Sequence, residues 1–191
     1  MNLASGESAM QTTTDKLIWT SDRYHQAVNA GVFDDVNLEL LDGELIEISP
    51  EREPQANRIV SIADLIRTQV LRKAQVREGH PVSLGIRNEP EPDIAVVQPL
   101  GREYDRHHPY PENIFLVIEF SNTSLARDLE QKRRIYAVAE IPEYWVVNLK
   151  AGKIIQHQTP GDGDYQECLE CDRGLIHFSP LSIELAVEEF F

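Results

Sequence analysis

The stretch that decides the fold runs from residue 114 to residue 148 and reads IFLVIEFSNTSLARDLEQKRRIYAVAEIPEYWVVN. Residues 114–120 are almost continuously apolar, as expected for a strand that is covered on both faces. Residues 125–140 carry apolar side chains at helical spacing, and the helix should stop before Pro142. Residues 144–148 then predict another buried strand. The order strand, helix, strand indicates a crossover unit.

Upstream of this unit, the sequence predicts two helices, a hairpin and two strands. They are a short helix from Thr20 or Ser21 to Ala30, a hairpin around Asp42-Gly43, a long helix over residues 55–74, and strands over residues 82–87 and 93–97. Gly31 can end the first helix because glycine readily adopts left-handed backbone. Asp-Gly between two apolar-rich runs is typical of a tight hairpin turn. The long helix is predicted because apolar residues recur at helical spacing from Ile59 to Val70.

Downstream, short alternating runs over residues 152–179 predict an antiparallel extension, and the closing run SIELAVEEFF predicts a short helix. The segments together predict an α/β fold, with a mixed central sheet flanked by helices and an antiparallel β extension. We expect residues 17–191 to form a single domain. Residues 1–16 are small, polar and unpatterned, and we expect them to be a disordered tail.

The 191-residue chain has a formal net charge of −14 and a sequence pI of about 4.8. This charge argues against sequence-independent affinity for nucleic acid, which requires dense Lys and Arg contacts. Two segments still concentrate basic side chains, and they predict either a local basic face or ordinary solvated helix faces. The segments hold Arg67, Arg72, Lys73 and Arg77, and then Arg127, Lys132, Arg133 and Arg134. With no signal peptide pattern and no apolar run of about 18 residues, we expect a cytoplasmic protein without a membrane partner.

Cys168 and Cys171 form a C-x-x-C pair. A zinc or redox site is one interpretation, but no second pair or histidine cluster completes a zinc ligand set. We therefore expect a structural or incidental role for both cysteines.

Two carboxylates are candidates for chemistry. Asp93 follows Pro92 and opens a predicted strand, and Glu119 lies near the end of the next predicted strand. Glu119 stands in an apolar run, where a carboxylate needs a metal or a basic partner because burying it alone is costly. Asp93 taken alone is better explained as an exposed carboxylate at a strand edge.

Lys132 is a third candidate because its position in the predicted helix faces the core. It shares a helical stripe with Leu125, Leu129, Tyr136 and Ala139. A lysine there must reach water or meet carboxylates, although a simple pair with Asp128, one turn earlier, is an alternative. An inward lysine facing two metal-binding carboxylates would hold an attacking water or neutralise charge on a phosphate in the transition state.

Pro92-Asp93 followed by E-x-S at residues 119–121 resembles the PD-(D/E)XK nuclease signature, with Ser121 in place of the usual lysine. A longer text is more specific, because ELLDGELIEISP, PDIAVV, LVIEFSNTS and DLEQKRRIYAVAEIPEYWVVN occur in that order. Together these segments resemble the bacterial Uma2 family of endonucleases, and the similarity covers residues 17–191.

The resemblance implies a restriction-endonuclease-like core with a divalent cation, Mg²⁺ or Mn²⁺, held by Asp93 and Glu119. Lys132 matches a family lysine that is displaced from strand to helix. Glu44, in the segment DGE, is the candidate third acid for the metal, although a hairpin position also explains it. Family members often show P-E-H before the first long helix, where this chain has P-Q-A at residues 54–56. Homodimers are common in the superfamily, and a homodimer is an expectation here.

The leading hypothesis is metal-dependent hydrolysis of phosphodiester bonds in DNA, with Asp93, Glu119 and Lys132 as catalytic residues. The alternative is a catalytically inactive nuclease-fold protein that serves as a nucleic-acid or protein interaction module. The net charge of −14 and the missing family histidine favour this alternative.

Overall fold

The computed structural model describes residues 16–50 and 52–191, so the predicted tail lies outside the described residues except for Lys16. The first two helices along the chain are α1 (Ser21–Asn29) and α2 (Glu53–Val70). The described residues also form the strands β1 (Leu38–Leu41), β2 (Glu44–Glu47), β3 (Gln75–Glu78), β4 (Ile94–Val97), β5 (Ile114–Ser121), β6 (Glu143–Asn148), β7 (Lys153–Gly161), β8 (Asp164–Cys171), β9 (Leu175–Phe178) and β10 (Ile183–Ala186).

Six of these strands form a mixed central sheet in the order β3-β4-β5-β6-β7-β8. β5 and β6 are parallel, and each of the other neighbouring pairs is antiparallel. The chain passes from β5 to β6 through a crossover helix made of α3 (Leu125–Arg127), a π-helical turn (Asp128–Lys132) and α4 (Arg133–Val138). The predicted crossover unit, mixed sheet and antiparallel extension are thus confirmed.

Local sequence accounts for the ends of the early elements. The Thr20 hydroxyl accepts a hydrogen bond from the backbone N–H of Arg23 and so caps α1. Asp42 and Gly43 both have positive φ, at 51° and 78°, which is the backbone of a type I′ hairpin turn. This turn sets the register in which Leu41 pairs with Glu44.

Alternation along the buried strands divides the core between the two faces of the sheet. α2 and the C-terminal segment cover one face, where Ile94, Ile118 and Trp145 are buried. The crossover helix covers the other face, where Ala95 and Val117 are buried. Side chains that lie two residues apart on a strand share a face. Positions 93 and 119 therefore belong to the face that the crossover helix covers.

The prediction of a strand over residues 82–87 is wrong. This segment is a turn in which Gly85 has a φ of 88° and Ile86 is exposed. Its backbone N–H groups at Val82 and Leu84 donate to the carbonyls of Pro90 and Asn88 instead of pairing in the sheet. The edge of the sheet next to β4 is formed by β3, which the sequence analysis did not predict.

Other differences concern helix ends. α2 stops at Val70, four residues before its predicted end, because Leu71 leaves helical backbone with a φ of 51°. The closing run is not a helix throughout, since residues 183–186 pair with β9 as β10 and only Val187–Phe190 form a 3₁₀ turn. The crossover helix, predicted as regular, contains the π-helical turn at Asp128–Lys132.

Candidate active site

Asp93 and Glu119 lie side by side on the crossover-helix face of the sheet. The antiparallel register pairs Ile94 with Ile118. Asp93, just before β4, therefore stands next to Glu119 on β5. A carboxylate oxygen of Asp93 accepts a hydrogen bond from the backbone N–H of Phe120 at 2.5 Å. The end of β5 thus fixes the Asp93 side chain beside Glu119.

Lys132 reaches this pair of acids from the crossover helix. Its side chain is only 6% exposed, and its Nζ lies 2.9 Å from Oε1 of Glu119 and 2.9 Å from Oε2 of Glu39. Burial opposes a charged ammonium, but the carboxylates of Glu119, Glu39 and Asp128 outweigh it and raise the pKa of Lys132. The amine is therefore a fixed positive charge between two buried acids.

Glu39 is a site residue that the sequence analysis missed. It lies on β1 with its side chain 2% exposed, and Arg127 approaches its Oε1 at 3.7 Å. The missed signal was an acid between two leucines, Leu38 and Leu40, which is the same pattern that drew attention to Glu119. A charged residue in an apolar run needs a partner when the run is buried.

Glu44 does not join the other candidates. It follows the hairpin turn, its side chain is 40% exposed, and it pairs with Lys16 at the surface. It does not line the cavity above Glu119. The register of the hairpin explains this placement, since Glu44 pairs with Leu41 beside the turn, two positions along β1 from Glu39.

Glu119 is held by a second donor from the crossover helix. The Tyr136 hydroxyl donates to Oε1 of Glu119 at 3.0 Å, and both side chains are buried. Burial raises the pKa of Glu119 well above its usual range, and the nearby Asp93 raises it further, whereas Lys132 acts in the opposite direction. Burial also raises the pKa of Tyr136, so its hydroxyl remains a donor. A carboxylate in such surroundings is stabilised by added positive charge.

Ser121 occupies the position where the nuclease signature usually has lysine, and it binds the crossover helix. Its hydroxyl and that of Ser124 each donate to Oδ2 of Asp128 at 2.6 Å. The Tyr144 hydroxyl donates to the backbone carbonyl of Asp128 at 3.0 Å. These bonds fix the start of the π-helical turn that ends with Lys132. Turns of this type are frequent at functional sites.

A cavity of about 590 Å³ opens above these residues. Its acidic lining residues are Glu39, Glu47, Glu91, Asp93, Glu119 and Asp128, and its basic ones are Arg52, Arg127, Lys132 and Lys150. Gln55, in the segment that replaces the family P-E-H, donates to the backbone carbonyl of Phe120 at 3.0 Å and also lines the cavity. The site combines buried acids with several cationic side chains.

The two basic segments do not form one basic face. In the first, Arg67 pairs with Asp64 and Glu78, and the guanidinium of Arg77 lies over the ring of Tyr104. In the second, Arg127 and Lys132 line the cavity. Within the described chain, the basic side chains of the second segment therefore lie among the acids of the cavity.

The cysteines lie far along the sheet, on its edge strand β8. Cys168 is exposed, Cys171 is partly buried, and both are free thiols. Burial raises the pKa of Cys168, which disfavours a reactive thiolate. Three positions apart on a strand, the two side chains point to opposite faces, so they are not placed to share a metal.

Comparison with known proteins places this arrangement in a family. A family model described as "Uma2: Putative restriction endonuclease" matches residues 22–188. The chain belongs to the Uma2 family. Membership in the Uma2 family gives the chain a nuclease-like function. No curated protein matches the chain.

A solved structure supports the fold of this Uma2 protein. It is described as a "putative nuclease belonging to DUF820" from Anabaena variabilis, with 14% sequence identity and a TM-score of 0.64. The match covers 82% of this chain and 90% of that chain. It confirms the predicted α/β fold, in which helices flank a mixed central sheet. Across residues 16–50 and 52–191, no helix combines the length and apolar character needed to cross a membrane.

The acids of this Uma2 member fit a small divalent cation. Among the described residues, no three acidic, histidine or cysteine side chains are grouped as metal ligands, and the ammonium of Lys132 lies between Glu39 and Glu119. Mg²⁺ is nevertheless commonly held by one or two carboxylates, with water and substrate phosphate as the remaining ligands. The neighbouring carboxylates of Asp93 and Glu119 meet that requirement.

Proposed function

We propose that this protein is a Mg²⁺-dependent endonuclease that hydrolyses phosphodiester bonds in DNA. The observation that carries the proposal is the buried ammonium of Lys132, which contacts Glu119 at 2.9 Å beside Asp93 and beneath a polar cavity. Such a pairing is costly to bury as a structural device alone. It also places a fixed positive charge next to two carboxylates that fit a divalent cation.

Two further observations support a nucleic-acid substrate. The family description names a restriction endonuclease, a class of enzyme that cuts DNA. The cavity also presents Arg52, Arg127 and Lys150, which are suited to bind phosphate oxygens by charge-assisted hydrogen bonds. These cations would hold the DNA backbone locally despite the net charge of −14.

Each residue of the site then has a role. Asp93 and Glu119 would hold the metal, which when bound lowers the pKa of a water ligand and stabilises negative charge on phosphate. Lys132 orients the attacking water or screens the charge that develops on the scissile phosphate. Tyr136 positions Glu119 through its 3.0 Å hydrogen bond, and Glu39 positions Lys132 from its other side.

Nicking of supercoiled plasmid with Mg²⁺ or Mn²⁺ tests the proposal. We expect the wild type to nick DNA and Glu119→Gln to be inactive, because glutamine keeps the size of the side chain but lacks the charge that binds metal. Glu44→Gln is the matched control, since it removes an exposed acid that does not line the cavity, and it should cleave like the wild type. Equal cleavage by Glu119→Gln and the wild type would reject the site.

Metal binding separates this proposal from an inactive interaction module. Calorimetry with Mn²⁺ should show saturable binding by the wild type and its loss in Asp93→Asn. If the wild type shows no Mn²⁺ binding and no cleavage, the inactive alternative is favoured. A homodimer stays a prediction, to be measured by sedimentation equilibrium.

A further inference from the structure

A second cavity, of about 830 Å³, shares no lining residue with the candidate active site. Its walls come from α1, the turn around Gly85 and residues 104–112. The proposed nuclease function assigns this cavity no role. Its lining combines a buried carboxylate with aromatic rings, so it has the features of a binding site.

Glu89 provides the buried polar group of this cavity. The residue is 3% exposed, and its backbone is fixed by a bridge to Leu40 on β1. Its Oε1 lies 2.7 Å from Nε2 of His25, whereas among the described residues the contact of its Oε2 is a long one of 3.5 Å from the Ser83 hydroxyl. One oxygen of a rigidly held carboxylate is thus available to a stronger donor.

The charge of the lining favours a cation. The lining holds one arginine, Arg106, and four acidic residues, which are Asp22, Glu89, Asp105 and Glu112. Asp105 pairs at the surface with Arg102 at 3.4 Å, which leaves three acids of the lining against Arg106. Burial lowers the pKa of His108, so this ring does not offset the negative charge near neutral pH. The local field therefore attracts positive ligands.

The aromatic wall favours a flat cation. The rings of His107 and Tyr110 are stacked with centroids 4.4 Å apart, and Tyr104 meets His107 edge-on at 6.0 Å. Tyr110 is 41% exposed, so part of its surface is free to receive a ligand. The wall already binds one guanidinium, because that of Arg77 lies 5.4 Å from the centre of the Tyr104 ring.

We propose that this cavity binds a guanidinium group, with Glu89 accepting its N–H donors and the ring of Tyr110 packing against its plane. A guanidinium matches this lining because it is planar and presents N–H donors in a fixed fork. The group would come from an arginine side chain of a partner protein or from a small guanidinium compound. A nucleotide is disfavoured because its phosphate would face the carboxylates of the lining.

Isothermal titration calorimetry of the full chain tests this proposal with three probes. They are a capped Gly-Arg-Gly peptide, the same peptide with neutral citrulline in place of arginine, and ethylguanidinium. We expect saturable binding of the arginine peptide and weak or no binding of the citrulline peptide. Tighter binding of the peptide than of ethylguanidinium would identify a protein partner as the source, and the reverse would identify a small molecule.

Variants localise the binding. Glu89→Gln should weaken binding about tenfold because it removes a charge-assisted acceptor. Tyr110→Leu should weaken it about threefold through loss of the ring, and it keeps the test open if Glu89→Gln fails to fold. Glu184→Gln is the control, since it removes an exposed acid on β10 outside the cavity and should leave binding unchanged.

Three results would overturn the proposal. They are no saturable binding of the arginine peptide, equal binding of the citrulline peptide, or, in an added titration with guanosine monophosphate, tighter binding that Glu89→Gln abolishes. The last result would identify a nucleobase site instead. Because no nucleic acid is cleaved in this assay, its outcome is independent of nuclease activity.

Discussion

Replacing Lys132 by methionine should destabilise the protein far more than an ordinary loss of surface charge. Methionine matches the length and apolar character of the lysine stem but leaves Glu119 and Glu39 without the ammonium that contacts both at 2.9 Å. Removing one partner of a buried ion pair costs about 3–5 kcal/mol. Tyr136 and Arg127 still contact the two acids, so we expect a loss of about 3 kcal/mol, near the lower limit.

A double-mutant cycle isolates the contact itself. Lys132→Met, Glu119→Gln and the double variant are unfolded in urea with EDTA present, and the free energy of unfolding is compared with that of the wild type. The double variant should be more stable than Lys132→Met, because neutral glutamine no longer needs the ammonium. We expect a coupling energy of about 2 kcal/mol. Additive losses, within about 0.5 kcal/mol, would refute a direct interaction of Lys132 with Glu119.

Arg127→Met is the matched control for this cycle. Arg127 also approaches Glu39, at 3.7 Å, but its side chain is 38% exposed. A partly solvated pair of this kind contributes about 1 kcal/mol or less. A loss equal to that of Lys132→Met would mean that burial does not distinguish the two cations.

Two further predictions concern the stability of the fold. Burial lowers the pKa of His157 from its usual 6.5 to about 4. The stability that its neutral ring contributes is therefore complete above the unfolded pKa and is lost as pH falls toward the folded pKa. The free energy of unfolding of His157→Phe, relative to that of the wild type, should therefore rise by about 2 kcal/mol between about pH 7 and about pH 5. Parallel plots of the two unfolding free energies against pH would contradict this. Gly43→Ala should lose about 2 kcal/mol, because φ is 78° and a Cβ would lie 2.5 Å from Ile18 and 3.0 Å from the Trp19 carbonyl. Thermal melts of both variants check this. Gly79→Ala, where φ is also positive but no atom lies within 4 Å of the added Cβ, should lose less stability if the steric clash at Gly43 matters.

The parts of the fold that were predicted correctly carry strong local signals. The apolar run of β5, the helical spacing after it and the Asp-Gly turn each specify an element without help from distant residues. β3 was missed because its sequence, QVRE, is short, largely polar and placed at the edge of the sheet. The opposite error was made at residues 82–87, where the alternation of VSLGIR resembles a strand but the turn at Gly85 prevents pairing.

The candidate site divides in the same way. Asp93, Glu119 and Lys132 were found because each departs from a local pattern or matches a motif. Glu39 was not found, although it stands between leucines, because its burial depends on where the hairpin packs. That position is fixed by a long-range contact, the backbone bridge between Leu40 and Glu89. No local rule supplies a contact between residues so distant in sequence.

The exchange of lysine for serine on β5 has a geometric explanation. A lysine two residues after Glu119 would share its face of the strand and lie beside it. Ser121 takes that place and binds Asp128 at 2.6 Å, which fixes the helix one turn before Lys132. Lys132 then delivers its ammonium to Glu119 from the helix instead of from the strand. For the proposed hydrolysis, the position of the positive charge matters and not the element that carries it. The serine and the lysine therefore act as one unit, since the strand residue holds in place the helix that carries Lys132.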